Sequence, residues 1–280
     1  MEDKLLKDLI LNSLREDIGD GDHSSLACIA DNEYGEAKLL IKQTGILAGI
    51  RVAKEVFHTV DHELQLKILS GDGSAVKPGD IAFYISGKVL SILKSERLVL
   101  NIMQRMSGIA TSTNEYATKL KGLKTRILDT RKTTPGFRFL EKEAVRIGGG
   151  ENHRMGLYDM IMLKDNHIDY TGGIKNAISR TNEYLRRKNL DLKIEIEARS
   201  LKDIEIIINA GSIDRIMLDN FNIENTAAAV KMIDGRFETE SSGGITLETI
   251  RSYAECGVDY ISVGALTHQI KSLDMSLKAF

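Results

Sequence analysis

Cysteine is scarce: Cys28 and Cys256 are the only two in 280 residues. They can form no disulfide framework and have no metal-ligand spacing, so the cytoplasm is the expected compartment. No stretch approaches the ~20 apolar residues that a bilayer span needs. The N-terminus, MEDKLLKDLILNSLREDIGDGD, lacks the basic opening and long apolar core of a secretory signal. Net charge is nearly absent, with 38 Lys and Arg against 40 Asp and Glu. That balance gives no general reason to expect nucleic acid or a membrane as partner, so any electrostatic work must come from local clustering. No GxGxxG stands at the first strand–helix turn, which weakens a dinucleotide-binding reading.

What remains is a globular composition, 42% hydrophobic and 28% charged. The length suits one large α/β domain or two unequal ones. KLLKDLILNSLRE, residues 4–16, has apolar residues at helical spacing. GEAKLLIKQTGILAGI and LQLKIL read as strands with the helix RVAKEVFHTV between them, and GDGSAVKPGDIAFYISGKV as turn, strand, turn. These predict a small, mainly antiparallel α/β sandwich. LSILKSERLVLNIMQRMSGIATSTNEYATKLKG predicts a long helix broken at Gly108. From about residue 125 short apolar strands (TRILDT, MIMLKDNH, KIEIEA, RIMLDN, FETESSGG, YISVGALTH) alternate with helices. Six such units predict a parallel sheet, either a complete or incomplete barrel or an open doubly wound sheet.

Each strand ends on a polar or glycine-rich group: Arg131-Lys132, Lys164, Glu197, Asp219, Ser242-Gly243-Gly244 and Gly264. In a barrel these ends converge on the face that carries active sites. Any one of them could be a strand-end cap or a surface charge; six in line argue for a site. Arg131, Lys132, Lys164 and the His153-Arg154 pair of GGGENHRMG form a cationic group. Clustered cations repel one another unless an anion binds, and the arginine fork suits carboxylate or phosphate. Glu197 and Asp219 lie on adjacent strands, and carboxylates beside phosphates suggest Mg²⁺; salt bridges to nearby lysines are the bland alternative. Glu195 shares the face of Glu197 but lies deeper. The glycine-rich ends ESSGG and SVGALTH, followed by helix N-termini, suit a phosphate, to which His268 could add a hydrogen bond. His23, His58, His62 and His167 receive no role. These residues point to a small enzyme acting on a ligand with several negative charges, at least one of them a phosphate.

SERLVLNIMQRMSGIAT, LDTRKTTPGFR, GGGENHRMGLYDMIMLKDNH, IEIEA, IMLDNF, ESSGGI and DYISVGALTH, in this order, together resemble the quinolinate phosphoribosyltransferase family over essentially the whole chain. The resemblance implies an N-terminal α/β sandwich over residues 1–106 and an open (incomplete, seven-stranded) α/β barrel over 107–268. A tail, 269–280, packs back on the sandwich. It further implies a homodimer with shared active sites, with a hexamer as the alternative. The implied reaction joins quinolinate and phosphoribosyl pyrophosphate to give nicotinate mononucleotide, pyrophosphate and CO₂. By motif match, Arg97 (from a second subunit), Arg131, His153, Arg154 and Lys164 would hold quinolinate. Thr130 and Lys132 would also line the substrates, with Lys132 facing the pyrophosphate. Glu197 and Asp219 would bind Mg²⁺ or the ribose hydroxyls. Ser242, Gly243, Gly244, Gly264 and His268 would hold the 5′-phosphate, with Val263 and Ala265 also lining the substrates. The catalytic set is Lys132, Lys164, Glu197 and Asp219, with Arg138 and Arg146 in the same basic region. Alternatives are a molybdate-transport-associated relative of the same fold, a nicotinate phosphoribosyltransferase, which needs to hold only one carboxylate, and a non-catalytic barrel that binds phosphorylated ligands.

Overall fold

The structure, a computed structural model, describes residues 2–280. Contacts divide the chain into two compact units. The first comprises residues 1–114, 134–149 and 266–280, and the second 115–133 and 150–265. The expected sandwich falls in the first unit, together with residues 107–114, 134–149 and the C-terminal segment.

The first unit opens with helix α1 (Glu2–Ile18), whose Leu6 and Ile10 form a narrow buried stripe, and the short α2 (His23–Cys28). Strands β1 (Tyr34–Ile41), β3 (Gln65–Ile68), β5 (Ile81–Lys88) and β12 (Met275–Ala279) make one antiparallel sheet in the order β12-β1-β5-β3. Ala37, Leu39 and Ile41 alternate as the buried face of β1, as a period of two requires. Short strands β2 (Gly45–Ile46) and β4 (Ala75–Val76) form a separate pair. Helix α3 (Ile50–Val60) buries Val52, Ala53, Val56 and Phe57, and Phe57 meets Phe83 edge-on with ring centroids 5.8 Å apart. Its first turn has no cap from Gly49; instead the Ile50 amide donates to Asp72 Oδ1 at 2.8 Å.

Helix α4 (Val89–Lys119) runs for 31 residues without the break expected at Gly108. The glycine serves close approach. A Cβ there would collide with the backbone carbonyl of Lys271, so its absence lets the C-terminal segment lie against the helix. Gln104 fixes that segment, its Nε2 donating to Met275 O at 2.9 Å, and β12 then adds to β1 over five residue pairs from Ala37↔Ala279 to Ile41↔Met275. Helix α5 (Arg138–Ile147) also belongs here. Its fully buried Glu141 accepts from Arg105 Nε at 2.8 Å and from the Thr134 amide at 3.2 Å. Cutting any of these bonds would leave a buried carboxylate short of donors.

The second unit is a six-stranded parallel sheet. Its strands are β6 (Arg126–Leu128), β7 (Ile161–Leu163), β8 (Ile194–Ala198), β9 (Arg215–Asp219), β10 (Glu238–Ser242) and β11 (Tyr260–Ser262), in the order β6-β11-β10-β9-β8-β7. Between them run α6 (Asp165–Tyr170), α7 (Ile174–Lys188), α8 (Leu201–Ala210), α9 (Ile223–Ile233) and α10 (Ile250–Glu255), and α11 (Ala265–His268) follows β11. A seventh position is present as one parallel bridge, Leu128↔Glu151, and not as a strand among the described residues. The sheet therefore stays open beside β7, as an incomplete α/β barrel. Ile194, Ile196, Ile216 and Leu218 are buried on one face of β8 and β9. The alternate positions, Glu195, Glu197, Arg215 and Asp219, fall on the other face. Barrels usually fill that interior with branched apolar side chains; here much of it is ionic.

Candidate active site

The site is built in two tiers on the inner face of the parallel sheet. The upper tier lies at the strand C-terminal ends. Lys164, at the start of α6, ion-pairs through Nζ with Glu197 Oε1, and Glu197 Oε2 accepts the Asp165 amide at 3.1 Å. The ring of His167 is not a ligand candidate in this arrangement: its Nδ1 accepts the Lys164 amide at 2.9 Å and closes the helix start. Asp219 stands one strand further on, half-buried, and takes the amide of Asn220 Nδ2 at 3.0 Å. Burial, and then the charge of Glu197, raise its carboxyl above the ordinary range. Two carboxylates on neighbouring strand ends are a fit for a cation with oxygen ligands. One oxygen of Glu197 is already committed to Lys164, so Asp219 is the freer of the two.

Across the same face, the loop after β6 carries Thr130, Arg131 and Lys132, with Thr130 Oγ1 accepting the Lys132 amide at 3.0 Å. Arg131 Nε is buried and has no acceptor. Arg154 sits near enough that burial and the Arg131 charge together lower its pKa. Two guanidiniums held together, one with an orphan donor, make a site that costs energy until an anion fills it. The Arg154 head is fixed by Nη1 donating to Met160 O at 3.1 Å, just before β7.

The glycine-rich end of β10 adopts left-handed backbone, with φ 98° at Gly243 and 62° at Gly244. A Cβ on Gly243 would overlap the Asn220 side chain, and the Asn220 amide bonds Ser242 O at 2.9 Å. The backbone of this turn therefore approaches the end of β9 in a way only glycine permits. Helix α10 does not begin there, as the sequence suggested; it starts six residues after Gly244, at Ile250. After β11, by contrast, α11 starts at Ala265 directly behind Val263 and Gly264, and the Val263 amide bonds Leu128 O at 3.0 Å.

Of the lower tier, the sequence singles out His153, as a ligand residue, and the depth of Glu195, but neither Glu240 nor Arg215. His153 has a side chain only 4% exposed. Its Nε2 lies 2.8 Å from Glu195 Oε2 and 3.4 Å from Glu240 Oε2, and both glutamates are fully buried. Glu240 Oε2 also meets Arg215 Nη1 at 3.1 Å, and Arg215 reaches Glu238 and lies over the Tyr260 ring at 4.0 Å. Burial alone would lower His153, but its hydrogen bonds to the two carboxylates outweigh this and raise it to about 9. The Arg154 amide nevertheless donates to Nδ1 at 2.7 Å and admits only a lone pair there. Burial and the Glu240 charge push the neighbouring Glu195 carboxyl up to about 7. His153, Glu195 and Glu240 also converge closely enough to ligate a metal, but Arg215 Nη1 already occupies Glu240 Oε2 at 3.1 Å. The strict alternation in IEIEA and the spacing of Glu238, Glu240 and Ser242 were the available signals for this tier.

Arg97, Arg138, Arg146 and His268 belong to the first unit. Arg97 on α4, Arg146 on α5 and His268 at the end of α11 are exposed.

The chain matches the family model described as quinolinate phosphoribosyl transferase in both its N-terminal domain, over residues 22–107, and its C-terminal domain, over 109–278. It is 44% identical to the chloroplastic carboxylating nicotinate-nucleotide pyrophosphorylase of Arabidopsis thaliana, a match covering 98% of this chain and 82% of that protein. It is 42% identical to a probable carboxylating nicotinate-nucleotide pyrophosphorylase of Bacillus subtilis, covering 97% and 92%. Among solved structures, NadC from Streptococcus pyogenes superposes with a TM-score of 0.93 at 39% identity, covering 98% of this chain and 97% of that one.

Proposed function

The chain belongs to the quinolinate phosphoribosyltransferase family, and from that premise we propose that the two-tiered face at its strand ends is the active site. The reaction is that of a carboxylating nicotinate-nucleotide pyrophosphorylase: phosphoribosyl passes from phosphoribosyl pyrophosphate to quinolinate, on the route to NAD. The observation that carries the site assignment is the Arg131–Arg154 pair, with the buried Arg131 Nε lacking an acceptor. Quinolinate's two carboxylates are the anions that such a pair requires.

Arg131 and Arg154 would take quinolinate carboxylates, with Lys164 beside them, and Lys132 and Thr130 would face the donor. The substrate's ring nitrogen attacks the anomeric carbon as the bond to pyrophosphate breaks, with its electron pair leaving on the pyrophosphate oxygen. Positive charge develops on the ribose, and the carboxylates of Glu197 and Asp219 are placed to stabilise it. The quaternised ring nitrogen then accepts the electron pair released when the 2-carboxylate leaves as CO₂, and a proton is taken up at that carbon. Holding ring nitrogen and anomeric carbon in line is mainly a positioning task. Asp219 and Glu197 would also hold Mg²⁺, which when bound would neutralise the departing pyrophosphate. The Ser242–Gly244 turn and the Val263–Ala265 segment would hold the 5′-phosphate by backbone amides. Arg97, exposed on α4, would complete the quinolinate site from a second copy of the chain. A product assay with quinolinate and phosphoribosyl pyrophosphate tests the whole reading.

A further inference from the structure

We infer that Glu240 and Arg215, which are buried below the strand ends, are positioning residues that set Arg154 for carboxylate binding by anchoring His153. The inference rests on the assignment of Arg154 to the quinolinate site.

The linkage is continuous. Arg215 Nη1 meets Glu240 Oε2 at 3.1 Å, and the same oxygen lies 3.4 Å from His153 Nε2. Glu195 holds that nitrogen more closely, at 2.8 Å. On the other side of the ring, Nδ1 accepts the Arg154 amide at 2.7 Å. The His153 amide donates to the buried Asp129 at 2.8 Å, and Asn152 Nδ2 donates to the same carboxylate at 2.5 Å. Both nitrogens of the His153 ring therefore have protein partners, and a 4% exposed side chain offers little surface to a ligand. The ring's position is that of a spacer between the ionic floor and the backbone of Arg154.

Such a spacer has a clear task. Arg154 lies beside another guanidinium, and repulsion would drive a free side chain out toward water. With its amide pinned to His153 and its Nη1 to Met160 O, the rest of the fork keeps one direction. Misplacement of a binding group by about 1 Å can cost about a hundredfold, so a loosened floor would be felt at the carboxylate and not at the ribose or pyrophosphate. Arg215 gives the floor its stiffness. It is bonded to Glu240 and Glu238 and stacked on Tyr260, so Glu240 cannot turn away from the ring.

The test uses Glu240→Gln, nearly identical in volume, and Arg215→Met, in the full chain. The expected result is a rise of about tenfold or more in KM for quinolinate. KM for phosphoribosyl pyrophosphate and kcat should change by less than about threefold, within the spread expected of an untouched interaction. Unchanged quinolinate KM in both variants, or equal rises in both KM values, would overturn the proposal. A second measurement needs no variant and no turnover. With ¹⁵N-labelled histidine in the wild-type chain, His153 should show a bare Nδ1 and a protonated Nε2; a proton on Nδ1 would overturn the anchoring. If the wild-type chain makes no product from quinolinate, the functional reading fails, while the ring signal still decides whether His153 is held as described.

Discussion

Lys164 and Glu197 are ion-paired across the ends of β7 and β8, and the second oxygen of Glu197 accepts the Asp165 amide at 3.1 Å. The carboxylate is almost buried while the lysine is about half exposed. The pair thus holds one cation and one anion at neighbouring strand ends, with the lysine head toward solvent. Asp219, next along the sheet, feels the charge of Glu197 and is hydrogen-bonded by the neutral amide of Asn220 at 3.0 Å.

Asp219→Asn should lower kcat by about a hundredfold, the usual scale for losing one electrostatic group aimed at a transition state, and weaken the Mg²⁺ dependence of turnover. It should also raise the melting temperature near neutral pH. The carboxyl of Asp219 is raised in the folded chain, so the folded state binds its proton more tightly than the unfolded state. Stability from this group is present at low pH and is lost as pH rises through the raised value. Asparagine does not lose it. Thermal unfolding at pH 5 and pH 8 checks the sign: the gain should be larger at pH 8. An unchanged metal profile would remove Asp219 from the proposed metal site.

Arg131→Ala should raise KM for quinolinate by about tenfold to a hundredfold, since a hydrogen bond to a charged group contributes about 1.5–3 kcal/mol. Stability should be kept or improved, because the substitution removes an orphan buried donor and the like charge beside Arg154. Calorimetric titration with quinolinate, together with a melting curve, separates the two effects. Near-normal affinity would take Arg131 out of the site.

Arg97→Ala chains mixed with Lys164→Ala chains should regain activity that neither variant has alone. A hybrid dimer with shared sites holds one site in which both residues are native. Turnover by verified mixed dimers is the readout, and no rescue would count against a site completed by a second copy.

Much of this architecture is visible in the order of residues. Six parallel strands follow from apolar runs alternating with helical stretches, and IEIEA announces two inward glutamates through a period of two. Other features depend on distant segments. The glycine at 108 resembles a helix break, yet it is a contact point for Lys271, which arrives from 163 positions later in the chain. Helix α5 follows β6 as a barrel helix should, but the buried bond between Arg105 and Glu141 ties it to the first unit. Gly243 and Gly244 suggest an anion turn; that Gly243 is required by the Asn220 side chain emerges only when β9 and β10 are side by side. His153 has the look of a ligand residue, because the sequence cannot show that Glu195, Glu240 and the Arg154 amide already surround its ring.

The products formed by the purified chain decide between a quinolinate and a nicotinate phosphoribosyltransferase. Purified chain is supplied with phosphoribosyl pyrophosphate, Mg²⁺ and either quinolinate or nicotinate. The expected result is nicotinate mononucleotide and one equivalent of CO₂ from quinolinate, and no nucleotide from nicotinate. Nucleotide from nicotinate alone, or no product from either by folded protein, would contradict it.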